Sequence, residues 1–134
     1  MVGVVRKLSF LVVDDNEDIR DVFCRLVERA GHRASTAGDG QEAVEILQRE
    51  SFDVMLLDLT MPRMNGVDVV RWLRSHPDVA PSLRIVVISA WAGEHRAVLQ
   101  ELGIDTVMQK PLRIQQLTDL IAETLLDLES GTRP

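Results

Sequence analysis

A short apolar segment ends in a carboxylate at Val54-Met55-Leu56-Leu57-Asp58. Three further segments have the same form, a mainly apolar run followed by polar side chains: Phe10-Leu11-Val12-Val13 before Asp14 and Asp15, Ile85-Val86-Val87-Ile88 before Ser89, and Thr106-Val107-Met108-Gln109 before Lys110. Short, continuous apolar runs are typical of buried strands. Because ligands bind outside the carboxyl ends of the strands in an open parallel sheet, the pattern predicts one site built from these five polar side chains.

Helical patterns separate the strand candidates. Apolar residues recur at helical spacing over residues 18–30, 41–49, 67–74 and 94–102, and a shorter strand is predicted at 33–36. A last, long helix is predicted to bury a stripe formed by Ile114, Leu117, Ile121, Leu125 and Leu128. Alternating strands and helices predict an α/β fold. We expect a single-domain, flavodoxin-like, doubly wound five-stranded parallel sheet in the order 2-1-3-4-5, with five helices.

Composition excludes several classes of protein. The 134 residues are 46% hydrophobic and 27% charged, which fits one ordinary globular domain. A net charge of −6 argues against direct nucleic-acid binding, which requires a basic face. The single cysteine, Cys24, rules out an internal disulfide, and no apolar run is long enough to cross a membrane. We therefore predict a cytoplasmic protein, with His32, His76 and His95 as surface residues that have no metal-ligand spacing.

The strand-end residues suit phosphoryl chemistry. A carboxylate such as Asp58 can attack a phosphoryl donor, and Mg²⁺ can bridge the carboxylate and the phosphate. Asp15 and Asp58 are the predicted direct ligands, Asp14 is placed through water, and the main-chain carbonyl of Thr60 can complete the set. Mn²⁺ is a possible substitute. Lys110 and Ser89 would contact the phosphate oxygens. Each residue alone has an ordinary explanation as a turn or a cap, but their joint placement does not.

These motifs resemble the receiver domain of two-component response regulators. The residues that carry the resemblance are Leu11-Val12-Val13-Asp14-Asp15-Asn16, Asp58-Leu59-Thr60-Met61-Pro62-Arg63-Met64-Asn65-Gly66, Val87-Ile88-Ser89-Ala90 and Lys110-Pro111. The resemblance implies that Asp58 is the phosphoacceptor, Asp14 and Asp15 the acidic pocket, Thr60 the carbonyl ligand, Ser89 the switch hydroxyl and Lys110 the conserved-type lysine. It also implies a cis bond before Pro111. The match gives a receiver domain at 8–128, an N-terminal extension at 1–7 and a polar tail at 129–134.

The chain departs from the family pattern at two positions. The family usually has Tyr or Phe three residues before the lysine, where this chain has Val107, and the chain contains no tyrosine. We therefore expect phosphorylation to be read out through loop and helix shifts in segment 89–102. Trp91 follows the switch position by two residues, and Thr60 offers no carboxylate or amide to orient water. These two residues predict a long-lived phosphorylated form, shielded by the indole of Trp91, unless that ring faces away.

The resemblance also implies partners. The phosphodonor would be a sensor histidine kinase or a histidine phosphotransfer protein, as in a phosphorelay, and a downstream protein target would read the phosphorylated state. We expect a monomer or a phosphorylation-dependent homodimer. No DNA-binding or catalytic segment follows Leu128, so the expectation is a stand-alone regulator, with a domain cut from a longer chain as the alternative.

Three other functions use parts of the same pattern. A Mg²⁺-dependent phosphatase that forms an aspartyl phosphate would require a second Asp at the position of Thr60. A flavin-binding electron carrier would require a glycine- and hydroxyl-rich phosphate loop, which Asp14-Asp15-Asn16 does not provide. A pseudo-receiver that serves only as an interaction module remains open. The expected protein is otherwise a phosphoacceptor switch that catalyses its own phosphotransfer and dephosphorylation, and not a conventional enzyme.

Overall fold

Strands and helices alternate along the chain as predicted. The structure, a computed structural model, describes residues 7–61, 63–104 and 106–130. The elements in order are β1 (Ser9–Val13), α1 (Glu17–Arg29), β2 (Arg33–Ala37), α2 (Gly40–Arg49), β3 (Val54–Leu57), α3 (Gly66–Ser75), β4 (Arg84–Ser89), α4 (Ala92–Glu101), β5 (Val107–Gln109) and α5 (Ile114–Ser130). Each described boundary lies within two residues of its prediction.

The five strands form one parallel sheet in the order β2-β1-β3-β4-β5, which confirms the predicted topology. In the register, Val13 lies beside Leu57, Leu57 beside Val87, and Val87 beside Val107. Residues that directly follow β1, β3 and β5, and the last residue of β4, therefore reach the same edge of the sheet.

The sheet separates two apolar cores. Alternate strand residues such as Leu11, Met55 and Val87 pack with α2, α3 and α4, whereas residues such as Val12 and Leu56 pack with α1 and α5. The central strands are buried on both faces, which explains why their sequences read as continuous apolar runs and not as alternating ones. Burial of both faces fixes the strands, and with them the positions of the residues at their carboxyl ends.

Asparagine and aspartate side chains start three of the helices. Asn16, Asp39 and Asn65 each accept a hydrogen bond from the backbone N–H three residues further on, at the beginning of α1, α2 and α3. Trp91, which precedes α4, supplies no side-chain cap.

Two predictions about individual side chains were wrong. Ile114 was predicted to face inward, but it is 65% exposed because α5 begins at this residue, before the helix reaches the sheet. Leu117, Leu120, Ile121 and Thr124 form the buried face instead. His32 was predicted at the surface but is buried, and its Nδ1 accepts the backbone N–H of Leu8 at 3.1 Å.

The chain ends bear on the predicted domain limits. Helix α5 extends to Ser130, two residues into the segment predicted as a tail, and residues 131–134 lie outside the described residues. Of the predicted extension at 1–7, the described part is Lys7. The limits of 8 and 128 stay predictions. In the described part of the chain, the helices are too short or too polar to cross a membrane.

Candidate functional site

Four neighbouring strands deliver the predicted site residues to one edge of the sheet. The backbone ladder continues past the strand ends, because the N–H of Asp58 donates to the carbonyl of Val13 at 2.9 Å and the N–H of Lys110 donates to the carbonyl of Ser89 at 2.9 Å. These bonds hold the backbone of each site residue against the neighbouring strand. The site is therefore anchored in the sheet and not in mobile loops.

Three carboxylates form an acidic cluster. One oxygen from each of Asp14, Asp15 and Asp58 lies within 4.8 Å of the others. Asp14 is 2% exposed and Asp58 is 5% exposed, whereas Asp15 is open to solvent. Oxygen donors in this number and type suit a hard divalent cation such as Mg²⁺, and the exposed Asp15 leaves a route by which it can enter.

Lys110 reaches into this cluster as predicted. Its Nζ lies 2.7 Å from Oδ2 of Asp14 and 3.5 Å from Oδ1 of Asp58. The lysine side chain is 18% exposed, so the attraction is weakly screened by water. The peptide bond between Lys110 and Pro111 is cis, as the resemblance implied.

Asp58 is the carboxylate with the most strongly perturbed proton affinity. Burial, together with the negative charge of Asp14, raises the pKa of Asp58 from its ordinary 3.8 to about 6. Lys110 and a hydrogen bond from the backbone N–H of Thr60 oppose this shift. At neutral pH the group is therefore ionised but poorly stabilised by its surroundings, which favours binding of a cation beside it.

Ser89 lies at the end of β4 and is fully buried. Its Oγ accepts the backbone N–H of Trp91 at 3.1 Å. A hydroxyl can accept and donate at the same time, so this contact leaves the hydrogen of Ser89 for an acceptor such as a phosphate oxygen. The contact also ties Ser89 to the start of α4.

The sequence alone did not reveal the residues that hold Asp14 and Asp58 in place. The N–H of Asn16 donates to Oδ1 of Asp14 at 2.9 Å, and Nη1 of Arg20 donates to its carbonyl oxygen at 2.8 Å. Gly66 packs so closely that an added Cβ would lie 2.4 Å from the carbonyl oxygen of Asp58. The position of Gly66 at the start of α3, eight residues after Asp58, is the signal that could have indicated this contact.

The two departures from the family pattern have different environments. Val107 is partly buried against the core formed with α2, α3 and α4, so an aliphatic side chain packs at the position where the family usually has an aromatic one. The side chain of Trp91 is 54% exposed.

Comparison with known proteins agrees with this geometry. A family model described as the response regulator receiver domain matches residues 10–122. The sensory/regulatory protein RpfC of Xanthomonas campestris is 34% identical over 133 residues, which are 96% of this chain and 18% of that protein. The sensory transduction protein RegX3 of Mycolicibacterium smegmatis is 33% identical over 118 residues, covering 87% and 50% of the two chains. This chain thus spans half or less of the length of these relatives.

Solved structures share the fold. A CheY-like receiver domain from Methanospirillum hungatei superposes with a TM-score of 0.84 at 23% identity, covering 94% of this chain and 99% of that one. The response regulator TrrA of Thermotoga maritima, solved in complex with Mg²⁺ and BeF, gives a TM-score of 0.75 at 24% identity, covering 89% and 99%. At these identities the likeness establishes the fold.

Proposed function

Since this chain belongs to the response regulator receiver domain family, we propose that Asp58 accepts a phosphoryl group from a phosphohistidine and thereby switches the binding of a partner protein. Phosphoryl acceptance is the general function of the family, and receiver domains act as signalling switches and not as conventional enzymes. The observation that carries the proposal is the position of the Lys110 ammonium group, which lies within 3.5 Å of a carboxylate oxygen of Asp58 inside a cluster of three carboxylates.

In the proposed transfer, a carboxylate oxygen of Asp58 attacks the phosphorus atom. A new P–O bond forms, the P–N bond to the imidazole breaks, and its electron pair returns to the imidazole nitrogen. Lys110 stands beside the attacking oxygen and would attract a phosphoryl oxygen as the charge is redistributed. Ser89 would donate its hydroxyl hydrogen to another phosphoryl oxygen.

The acidic cluster fits a metal ion, and we propose Mg²⁺, with Mn²⁺ as a substitute that prefers the same oxygen ligands. Asp15 and Asp58 would hold the ion directly, Asp14 would hold it through water, and the carbonyl of Thr60 would be a further ligand. When bound, the ion would offset the combined negative charge of the carboxylates and the phosphoryl group.

The proposed donor is a sensor histidine kinase or a histidine phosphotransfer protein. Receiver domains obtain phosphate from histidine kinases, which supports this choice. The proposed setting is the cytoplasm, with a downstream protein as the target, no direct contact with nucleic acid, and a monomer or a phosphorylation-dependent homodimer as the assembly. Because this chain spans at most half of the cited relatives, their complete activities are not transferred to it.

Intact-mass spectrometry tests the proposal. The protein is incubated with acetyl phosphate and Mg²⁺, beside an Asp58→Asn variant and a sample that contains EDTA. A gain of one phosphoryl group that requires both Mg²⁺ and Asp58 is expected. If neither acetyl phosphate nor a phosphorylated histidine phosphotransfer protein modifies the chain, it is a pseudo-receiver and the proposed transfer is wrong.

We further propose that the phosphorylated form is long-lived and that the side chain of Trp91 slows the approach of water to it. The partial exposure of the indole limits the expected effect to about a threefold faster loss of phosphate in a Trp91→Ala variant. The decay is followed by intact mass after the donor is removed, with Trp72→Ala as a control for loss of a tryptophan. Equal lifetimes in the parent and the Trp91→Ala variant would rule out shielding.

A further inference from the structure

Gln109 lies at the exposed end of β5, directly opposite Ser89 in the sheet. Its side-chain Nε2 donates hydrogen bonds to two main-chain carbonyl oxygens, those of Ala90 and, at 3.2 Å, of Lys110. An amide nitrogen donates and an amide oxygen only accepts, so two carbonyl partners define which way this side chain points. The side chain of Gln109 is therefore held by two hydrogen bonds and is not freely solvated.

The two acceptors belong to residues on either side of the reacting groups. Ala90 directly follows the switch hydroxyl of Ser89, and Lys110 carries the ammonium group that faces Asp58. On the backbone side, the N–H of Lys110 donates to the carbonyl of Ser89 at 2.9 Å. The side chain of Gln109 thus closes a small ring of hydrogen bonds that connects the loop between β4 and α4 to the end of β5.

This loop has few other anchors among the described residues. Ala90 and Trp91 are exposed, α4 starts without a side-chain cap, and the space around Gly93 is open. The loop nevertheless contains the Trp91 N–H that binds Oγ of Ser89. Ala92, the first residue of α4, is buried, so the exposed part of the loop is Ala90 and Trp91. For these two exposed residues, a side chain that donates to the carbonyl of Ala90 has a large influence on position.

We propose that Gln109 is a positioning residue that holds the β4–α4 loop against the backbone of Lys110, so that Ser89 and Lys110 are placed together for phosphoryl transfer to Asp58. This inference rests on the proposed function of Asp58. Gln109 does not itself reach the acidic cluster, and its effect is confined to the geometry of the two residues that would bind phosphoryl oxygens. Mg²⁺ binding by the three carboxylates does not depend on it.

The test uses the full chain in a Trp72→Phe background, in which Trp91 is the remaining tryptophan. Gln109→Met removes both donors and keeps the length of the side chain, and Gln109→Glu keeps its shape. Gln115→Met is the matched control, because its amide donates to Asp119 within α5 at 2.8 Å, away from the site. Four quantities are measured: the rate of phosphorylation by acetyl phosphate, the fluorescence anisotropy of Trp91, the affinity for Mg²⁺ and the melting temperature.

Both Gln109 variants are expected to be phosphorylated roughly 3- to 10-fold more slowly, the factor that corresponds to one net hydrogen bond. The anisotropy of Trp91 should fall and Mg²⁺ affinity should stay at the value of the Gln115→Met control, while the melting temperature should fall by no more than about 5 °C, as expected for the loss of one net hydrogen bond. A parental phosphorylation rate in both variants would overturn the inference, as would a slow rate accompanied by weaker Mg²⁺ binding or by a fall in melting temperature of more than about 10 °C, which would indicate general unfolding. If the Trp72→Phe parent accepts no phosphoryl group, the proposed function fails and this inference fails with it, whereas an active parent beside equally active variants refutes only the role of Gln109.

Discussion

At the scale of single residues, the surroundings of Asp58 have opposing effects on its pKa. Its place between Asp14 and the buried end of β3 disfavours the ionised form, while Lys110 and the N–H of Thr60 favour it. The first two effects are larger, so the pKa lies near 6. A carboxylate that is ionised at neutral pH yet poorly stabilised gains most when a cation and a phosphoryl group arrive. The same environment makes Asp58 unfavourable for the stability of the metal-free fold.

Replacing Asp58 with Asn is therefore expected to stabilise the metal-free protein at pH 7.5 by about 2 kcal/mol. A carboxyl whose pKa is higher when folded than when unfolded holds its proton more tightly in the folded state. Its unfavourable effect on stability is consequently small at pH 4, grows as the pH rises from about 4 to about 6, and is constant at higher pH. Urea unfolding in EDTA at pH 4 and pH 7.5, parent against variant, measures the difference. Equal differences at the two pH values would contradict the prediction.

At the scale of elements, the close packing of α3 against the end of β3 requires glycine at position 66. Gly66 begins α3 directly over the backbone of Asp58 and Leu59, and Asn65 caps the helix. A larger residue would have to displace main-chain atoms, which cannot move aside as a flexible side chain can. The start of α3 and the position of Asp58 are thus coupled through one close contact.

A Gly66→Ala substitution is expected to destabilise the fold by at least about 2 kcal/mol and to slow phosphorylation of Asp58. Gly93→Ala in α4 is the matched control, because an added Cβ meets open space there and alanine favours helix. The control should be neutral or more stable by up to about 1 kcal/mol. Both values come from urea unfolding. Similar stabilities for the two variants would show that the contact over Asp58 relaxes freely.

A hydrogen bond to a buried histidine joins the chain segments that lead into β1 and β2. His32 accepts the N–H of Leu8 through Nδ1 and packs near Phe10, with ring centroids 5.6 Å apart. An Nδ1 that accepts must be unprotonated, so the ring is neutral with its proton on Nε2. Burial lowers the pKa of His32 below its ordinary 6.5, against an opposing effect of Asp53.

Acidification is expected to weaken the fold through His32. Because its pKa is lower when folded, the unfolded chain takes up a proton first, and stability is lost as the pH falls below about 6.5. A His32→Asn variant keeps an acceptor for Leu8 but cannot titrate, so it should lose less stability than the parent between pH 7.5 and 5.5. Unfolding of both proteins in urea measures this, with His76→Asn as the exposed control. Parallel pH profiles for the parent and His32→Asn would contradict it.

At the scale of the whole molecule, the ends of the central strands are buried, whereas the loop between β4 and α4 is exposed. Asp58 and Ser89 are buried at strand ends, whereas Ala90 and Trp91 are exposed and Val107 is partly buried. A displacement of Ser89 caused by a phosphoryl group on Asp58 would be transmitted to Trp91, because the N–H of Trp91 donates a hydrogen bond to Oγ of Ser89. The partner-binding response should therefore arise in segment 89–102.

Beryllofluoride with Mg²⁺, which imitates the phosphoryl group, is expected to change hydrogen exchange in segment 89–102 more than in any other helix-containing segment. The reason is that Ser89 would turn toward the added anion and carry the N–H of Trp91 with it. Hydrogen exchange followed by mass spectrometry measures the response, and Asp58→Asn treated in the same way is the control. Unchanged exchange over 89–102 in the parent would disprove this route.

The sequence by itself determined the α/β fold and the strand order, and it predicted which polar residues lie at the carboxyl ends of the strands. Apolar runs that end in Asp14, Asp58 and Ser89 leave few topologies open, because parallel strands with right-handed crossovers must bring these ends to one edge. Local caps such as Asn16 could also be predicted, since a cap depends on residues only a few positions apart.

Only the tertiary structure decided the environments of individual side chains. It placed His32 inside and Ile114 outside, brought Gly66 onto the backbone of Asp58, and set Gln109 across the carbonyls of Ala90 and Lys110. Each of these depends on which elements meet in space and at what angle. Residue type and spacing specify a face of a helix or strand, but burial, contact distance and proton affinity depend on what packs against that face.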